Sequence, residues 1–214
     1  ISNNTALSYL NCGSNQLTFL DVSQNTALTY LVCGPSSTGN VSNAPFQNQL
    51  TSLDLSQNTA LTHLNCASNP LTFLDVSQNT ALNTLLCVNN HLTTLDISNN
   101  TALSYLNCGS NQLTTLDLSN NPNLSDLYCY LMINLTSLDL RNGNNTILNS
   151  IEVVQNPYLF CIDVDDPNYS WLNWPTSGSG GIQFDSWVSF SSNCATAFGC
   201  TDSLASNYDP LATV

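Results

Sequence analysis

Apolar residues fall along this chain in two alternating phrases. One reads LxxLxCxxNx and begins at Leu7, Leu28, Leu61, Leu82, Leu103 and Leu124. The other reads LxxLDxSxNxx and begins at Leu17, Leu50, Leu71, Leu92 and Leu113, with a degraded copy at Leu135. In both, the fourth and sixth positions are apolar and the third and fifth polar or aromatic, the period-2 alternation of a half-buried strand. A ten-residue and an eleven-residue phrase together make a coil of 21 residues, and residues 1–18 recur unchanged at 97–114. Repeats of this length specify a solenoid: each coil carries two short strands, and stacked coils give two parallel sheets about 4.8 Å apart strand to strand. The phrases leave no room for a proper helix, so turns are expected to join the strands. Each buried Leu contributes about 1.5–3 kcal/mol, but only once neighbouring coils cover it.

The Asn three residues after each strand stands where the chain must turn. Asn15, Asn69, Asn90 and Asn111 form one column, and Asn25, Asn58, Asn79, Asn100 and Asn121 the other. Their amides are expected to bond backbone groups that the turns leave unpaired.

This pattern resembles the leucine-rich repeats, specifically the nested 21-residue (IRREKO-type) class, in which both halves of a coil read like the repeat consensus. The resemblance covers residues 1 to about 158. It implies a mostly β solenoid with few or no helices, used for protein or glycan recognition, commonly on bacterial surfaces. A unit from Leu148 continues the pattern without its Cys, and 159–194 reads as a cap with three Trp. That segment looks like the irregular cap following such repeats in secreted Bacteroidetes proteins, which implies a Cys161–Cys194 disulfide. Residues 195–214 resemble the start of a short Cys-containing module of Bacteroidetes surface proteins that carry a type IX secretion signal further on. Ile1 fills the slot that Ile97 takes in mid-chain, so further coils are expected before it.

Regularity breaks first between Cys33 and Leu50, where 16 residues replace four, an insertion of 12. Such an excursion is a candidate contact loop, with Phe46 as its only large apolar residue.

Charge narrows the partners. Fourteen acidic residues against one basic residue, Arg141, give a net charge of −13. Nucleic acid and anionic membranes are disfavoured, because nothing here releases counterions. No run of 18 apolar residues suggests direct membrane insertion.

Six of the nine cysteines, Cys12, Cys33, Cys66, Cys87, Cys108 and Cys129, share one inward position. In-register neighbours with parallel Cβ vectors do not meet disulfide geometry, and tetrahedral zinc wants converging ligands. They are expected to be reduced, buried and apolar in behaviour. Two of Cys161, Cys194 and Cys200 should be bridged.

Two faces are candidate sites. The outward row Tyr9, Tyr30, His63, Thr84, Tyr105, Asp126, beside Asn11, Val32, Asn65, Leu86, Asn107, Tyr128, suits stacking and hydrogen bonding to sugars or protein loops. The other phrase presents Asp21, Asp54, Asp75, Asp96, Asp117 and Asp139 beside a Thr column. Like charges one strand apart are expected to raise one another's pKa and lower stability as pH rises, an effect that bound Ca²⁺ would offset. Asp163, Asp165 and Asp166 have a spacing compatible with a hard cation, and Asp202, Ser203 and Leu204 match the short Bacteroidetes O-glycosylation motif at Ser203.

No catalytic site and no cofactor other than Ca²⁺ is expected. His63 and His91 stand in different phrases, and a ladder of equivalent carboxylates lacks the asymmetry that splits acid from nucleophile. The sequence therefore reads as a secreted or cell-surface binding or adhesion module for protein or glycan. The alternative is a structural subunit that assembles with copies of itself through its sheet edges, and a carbohydrate-active enzyme is a distant third.

Overall fold

A computed structural model describes residues 1–35, 47–174 and 181–197. The Cys phrases form one parallel sheet of eight strands: β1 (Tyr9–Asn11), β2 (Tyr30–Val32), β3 (His63–Asn65), β4 (Thr84–Leu86), β5 (Tyr105–Asn107), β7 (Asp126–Tyr128), β9 (Ser150–Val153) and β11 (Ile182–Phe184). Register keeps equivalent residues over one another, so that Leu10, Leu31, Leu64, Leu85, Leu106, Leu127 and Ile151 make one inward column. From Leu28 onward the first Leu of each phrase is fully buried, Leu61, Leu82 and Leu103 among them. The fold is a leucine-rich-repeat solenoid, mostly strand.

The second sheet is shorter than its phrases. It holds β6 (Thr115–Asp117), β8 (Ser137–Asp139), β10 (Cys161–Asp163) and β12 (Ser189–Ser191) in the order β12-β10-β8-β6. In the first four coils the equivalent segments from Leu17, Leu50, Leu71 and Leu92 bury their Leu columns without forming a strand ladder. A cleft of about 270 Å³ lies between residues 94–98, in the last segment without a ladder, and Thr115 and Asp117 of β6.

Two asparagine ladders join the coils. Asn58, Asn79, Asn100 and Asn121 each donate through Nδ2 to two turn carbonyls of the preceding coil; Asn79 reaches Leu55 O at 3.2 Å and Asn58 O at 2.9 Å. In the other ladder Asn69, Asn90 and Asn111 accept from the backbone N–H of Leu50, Leu71 and Leu92 and donate to Cys carbonyls of their own and the preceding coil. The insertion does not interrupt it. Cys33 and Gly34 bond Asn65 O so that β2 and β3 pair directly, and Asn48 takes the ladder position with its amide on Cys12 O, Cys33 O and the N–H of Leu17. Asn15, by contrast, is exposed: its side chain donates to Gly13 O, while its backbone N–H donates to Asn48 Oδ1 at 3.1 Å.

The segment after residue 158 continues both sheets, β10 pairing with β8, β12 with β10, and β11 with β9. A short helix, α1 (Pro167–Asn173), is capped by the Asp166 carboxylate, which accepts from the N–H groups of Asn168 and Tyr169. Behind it Trp174 is buried against Phe184 and Phe190. The Cys161–Cys194 disulfide closes a loop of 33 residues around this cluster, a constraint that stabilises by about 3–4 kcal/mol on loop-closure grounds.

The ladder amides are expected to carry measurable stability. Asn79→Ala strips two buried carbonyls of their donor and should lower the unfolding free energy by about 2 kcal/mol. The exposed neighbour Asn99→Ala should change it by less than about 0.5 kcal/mol. Urea midpoints of the two variants check this, and equal midpoints would remove the ladder's role.

Candidate binding surface

On the outer face of the eight-stranded sheet, Tyr9, Tyr30 and His63 lie in register on adjacent strands and stack as a column. Ring centroids are 4.7 Å apart between Tyr9 and Tyr30, with planes 12° apart, and 4.0 Å between Tyr30 and His63, with planes 3° apart. Parallel strands set this spacing, since it matches the distance between rungs. Both faces of Tyr30 are therefore covered by neighbouring rings, leaving the ring edges to solvent. Tyr9 is the most open member, 56% exposed. Burial lowers the His63 pKa below its ordinary value, which favours the neutral imidazole.

Thr84 interrupts the row, and Tyr105 begins a second aromatic group. Its ring lies 5.4 Å from that of Tyr128, tilted by 33°. The Tyr128 and Ser150 hydroxyls are 2.8 Å apart.

The neighbouring column differs from expectation. Val32, Asn65, Leu86 and Asn107 alternate outward but are buried. The chain leaving each strand folds back over them: Asn65 Oδ1 accepts from Ala67 N–H at 3.1 Å and Asn107 Oδ1 from Gly109 N–H at 3.3 Å. The first row, Asn11 at the start of the neighbouring column and Tyr128 further along are open to a partner. Phe46 and Ser203 lie outside the described residues. Two exposed aromatics that the sequence reading passed over, Phe19 and Phe73, stand 72% and 65% exposed on the opposite side; both are third residues of an LxxLD phrase, the outward slot.

The aspartate column corrects another expectation. Asp21, Asp54, Asp75 and Asp96 have lowered pKa values, because each carboxylate bonds the Ser two residues on, through its backbone N–H at 2.9–3.0 Å and through its side chain. Repulsion from neighbouring carboxylates acts on Asp54 and Asp75 in the opposite sense and is the weaker effect. The basis for expecting Ca²⁺ to relieve a strained column is thereby removed. Where the second sheet does ladder, Asp117, Asp139 and Asp163 fall on adjacent strands and Arg141 is placed among them. Its guanidinium bonds both Asp139 oxygens, lies 3.8 Å from Asp163 and donates to Ser192 O.

Asp163, Asp165 and Asp166 are not brought together as a cation site. Asp163 accepts from Cys194 N–H, Asp165 from Gly143 and Asn145 N–H, and Asp166 caps α1. Among the described residues no group of three His, Cys, Asp or Glu could hold a metal. The six column cysteines are unbridged, five of them buried and Cys12 half-buried. Burial pushes the thiols of Cys33 and Cys66 well up, and that of Cys87 to about 12.

No family model matches the chain, and no curated protein matches it. Solved structures do. It is similar to a leucine-rich-repeat protein of Leptospira interrogans at 22% identity and a TM-score of 0.57, over 76% of this chain and 39% of that one. An internalin (inlF) of Listeria monocytogenes is similar at 23% identity and a TM-score of 0.54, over 76% and 56%. The functional domain of InlJ from Listeria monocytogenes, described as including a cysteine ladder, aligns at 30% identity and a TM-score of 0.41, over 76% and 51%. The chain spans between 39% and 56% of the length of these structures. The Leptospira protein and inlF show the fold class, leucine-rich repeat.

The pH dependence of stability follows from these groups. Carboxylates with depressed folded pKa values stabilise the fold above the unfolded pKa of about 3.8, and this is lost as pH falls through their folded values. Thiols with raised folded pKa values stabilise it below about 9 and lose this as pH rises toward 12. Half-buried His63, with its lowered pKa, takes up a proton less readily than the unfolded imidazole and adds a small loss of stability below about pH 6.5. Melting temperature is therefore expected to be highest near pH 7 to 8, to decline modestly toward pH 5 and to fall further below pH 4 and above pH 9, as measured by circular dichroism. A melting temperature that climbs on acidification below pH 4 would restore the repulsive column.

Proposed function

We propose that this chain is a binding and adhesion module that recognises a protein or glycan through the outer face of its eight-stranded sheet, on the surface of or outside a bacterial cell. One observation carries this reading: the row Tyr9, Tyr30, His63 and Tyr105 stands on an open sheet, its ring positions fixed by strand register. Rings locked in advance give up little conformational entropy on binding and are the side chains that dominate interfaces. The edge-out stacking of Tyr30 favours a protein over a sugar, because a sugar ring seeks an uncovered aromatic face, while phenol and imidazole edges offer hydrogen bonds.

The location rests on the resemblance of the repeats and of residues 195–214 to secreted Bacteroidetes proteins with a type IX secretion signal. The Cys161–Cys194 disulfide suits an oxidising compartment, and no helix among the described residues is long and apolar enough to cross a membrane. A binding role is favoured over catalysis because His63 is committed to a ring stack and the Asp21, Asp54, Asp75 and Asp96 carboxylates share one equivalent environment.

Probing protein and glycan arrays with the chain tests the proposal. The variant Tyr9→Ser, Tyr30→Ser, His63→Ser is expected to lose about tenfold or more in affinity for the ligands found, with its melting temperature within a few degrees of the parent. Undiminished binding by that variant would move recognition off this row. Concentration-dependent filaments in light scattering would favour the structural-subunit alternative instead.

A further inference from the structure

The second aromatic group on the same sheet differs chemically from the first. Tyr105 and Tyr128 lie 5.4 Å apart, centroid to centroid. Tyr130 folds back beside them: a Cβ on Gly109 would come within 3.0 Å of its ring, so the missing side chain at 109 is what admits it. Asp126 is in register with Tyr105, and Glu152 with Tyr128. All five side chains are half-buried. Three phenol rings and two carboxylates therefore share a patch about three strands wide.

Nothing within the chain neutralises it. Arg141 is the sole Lys or Arg in the sequence, and it is bound to Asp139 on the other sheet. The Asp126 carboxylate accepts from the Ser125 hydroxyl at 2.5 Å, which brings no charge. Tyr105 feels the surroundings: burial first, then Tyr128, Asp126, Tyr130 and Glu152, push its pKa up to about 12. The electron-rich faces of aromatic rings attract cations, most strongly organic ones, and a carboxylate beside them adds a charge-assisted hydrogen bond. A hard divalent ion is poorly served, since it wants six or more oxygens and this patch offers two carboxylates.

We propose that the Tyr105, Tyr128, Tyr130, Asp126 and Glu152 patch receives a Lys or Arg side chain of a partner protein. The inference rests on the binding-module reading and names its partner chemistry: a basic segment, complementary to a chain of net charge −13. The Tyr9, Tyr30 and His63 row, whose nearest member His63 is two strands from Tyr105 along the sheet, supplies hydrogen-bonding edges without charge. Affinity at the patch should fall with added salt.

The test titrates the purified chain with acetyl-Gly-Arg-Gly-amide, acetyl-Gly-Lys-Gly-amide and the neutral citrulline analogue, reading tyrosine ring resonances assigned by single Tyr→Phe variants. The cationic peptides are expected to shift Tyr105, Tyr128 and Tyr130 saturably, and citrulline to bind about tenfold more weakly. The isosteric double variant Asp126→Asn, Glu152→Gln, whose melting temperature confirms its fold, should lose about tenfold for both cationic peptides. Equal response to arginine and citrulline, unchanged binding by the double variant, absence of a saturable shift at these three rings, or Ca²⁺ moving them at lower concentration than the peptides would each overturn the proposal. Array ligands that bind the double variant as well as the parent overturn this inference and leave the binding-module reading standing. An array without any ligand overturns that reading, and the peptide titration still decides the patch.

Discussion

A coil of 21 residues cannot satisfy its own turns. Two tight turns per coil leave carbonyl and amide groups pointing inward, and the apolar interior offers them no water. Every other feature depends on the solution, a side-chain amide reaching one rung back. Because Asn25, Asn58, Asn79, Asn100 and Asn121 recur at one position of successive coils, each finds the carbonyls it needs only when coils stack in register. Register then aligns the Leu columns and, on the outer face, the rings. The arrangement has a cost: the Oδ1 atoms of these five residues are buried without a partner among the described residues. An unsatisfied acceptor costs about 1–3 kcal/mol, which the paired bonds and the surrounding Leu burial offset.

Local bonding also decides how a charge column behaves. Side-by-side carboxylates in a stacked repeat suggest repulsion, yet each Asp of the first coils is held by a Ser two residues later, within its own turn. A hydrogen bond at 2.9 Å outweighs a like charge across exposed, water-filled space, where the dielectric is high. The balance changes where the second sheet closes and Asp117, Asp139 and Asp163 become strand neighbours. The chain's single cation is found there, at the degraded repeat where Arg141 replaces the usual Ser. The loss of the motif at that coil and the presence of Arg141 are one fact: the carboxylate lost its Ser and gained a guanidinium.

Much of the fold was legible because the repeat is nearly literal. Equal residues at a spacing of 21 fix the strands, the Leu interior and the ladder positions without any long-range inference. What the spacing does not encode was harder to read. Asn48 resumes its ladder two residues before Leu50, as Asn69 does before Leu71 and Asn90 before Leu92, a signal present in the sequence but hidden when positions are counted forward from Cys33. The partial second sheet was not legible, since the LxxLD phrases read alike in coils that ladder and coils that do not. Asparagines such as Asn65 and Asn107 alternate outward yet are buried, because alternation says nothing of a following turn folding back. Glu152 and Tyr130 fall outside the exact repeat: the register of β7 with β9 brings Glu152 beside Tyr128, and the missing side chain at Gly109 admits the Tyr130 ring.

The same register that stabilises the interior makes the outer face a rigid ruler, and this bears on recognition. His63 and Tyr105 are two rungs apart with Thr84 between them, about 10 Å at the spacing of parallel strands. One end of the row presents neutral ring edges, the other rings beside uncompensated carboxylates. A partner engaging both must match a fixed distance and a fixed order of chemistry, so a ligand reversed end to end loses its charge pairing. Discrimination of that kind comes from spacing and sign more than from area. It is available to this chain because the backbone cannot adjust one rung without breaking the ladder bonds on either side.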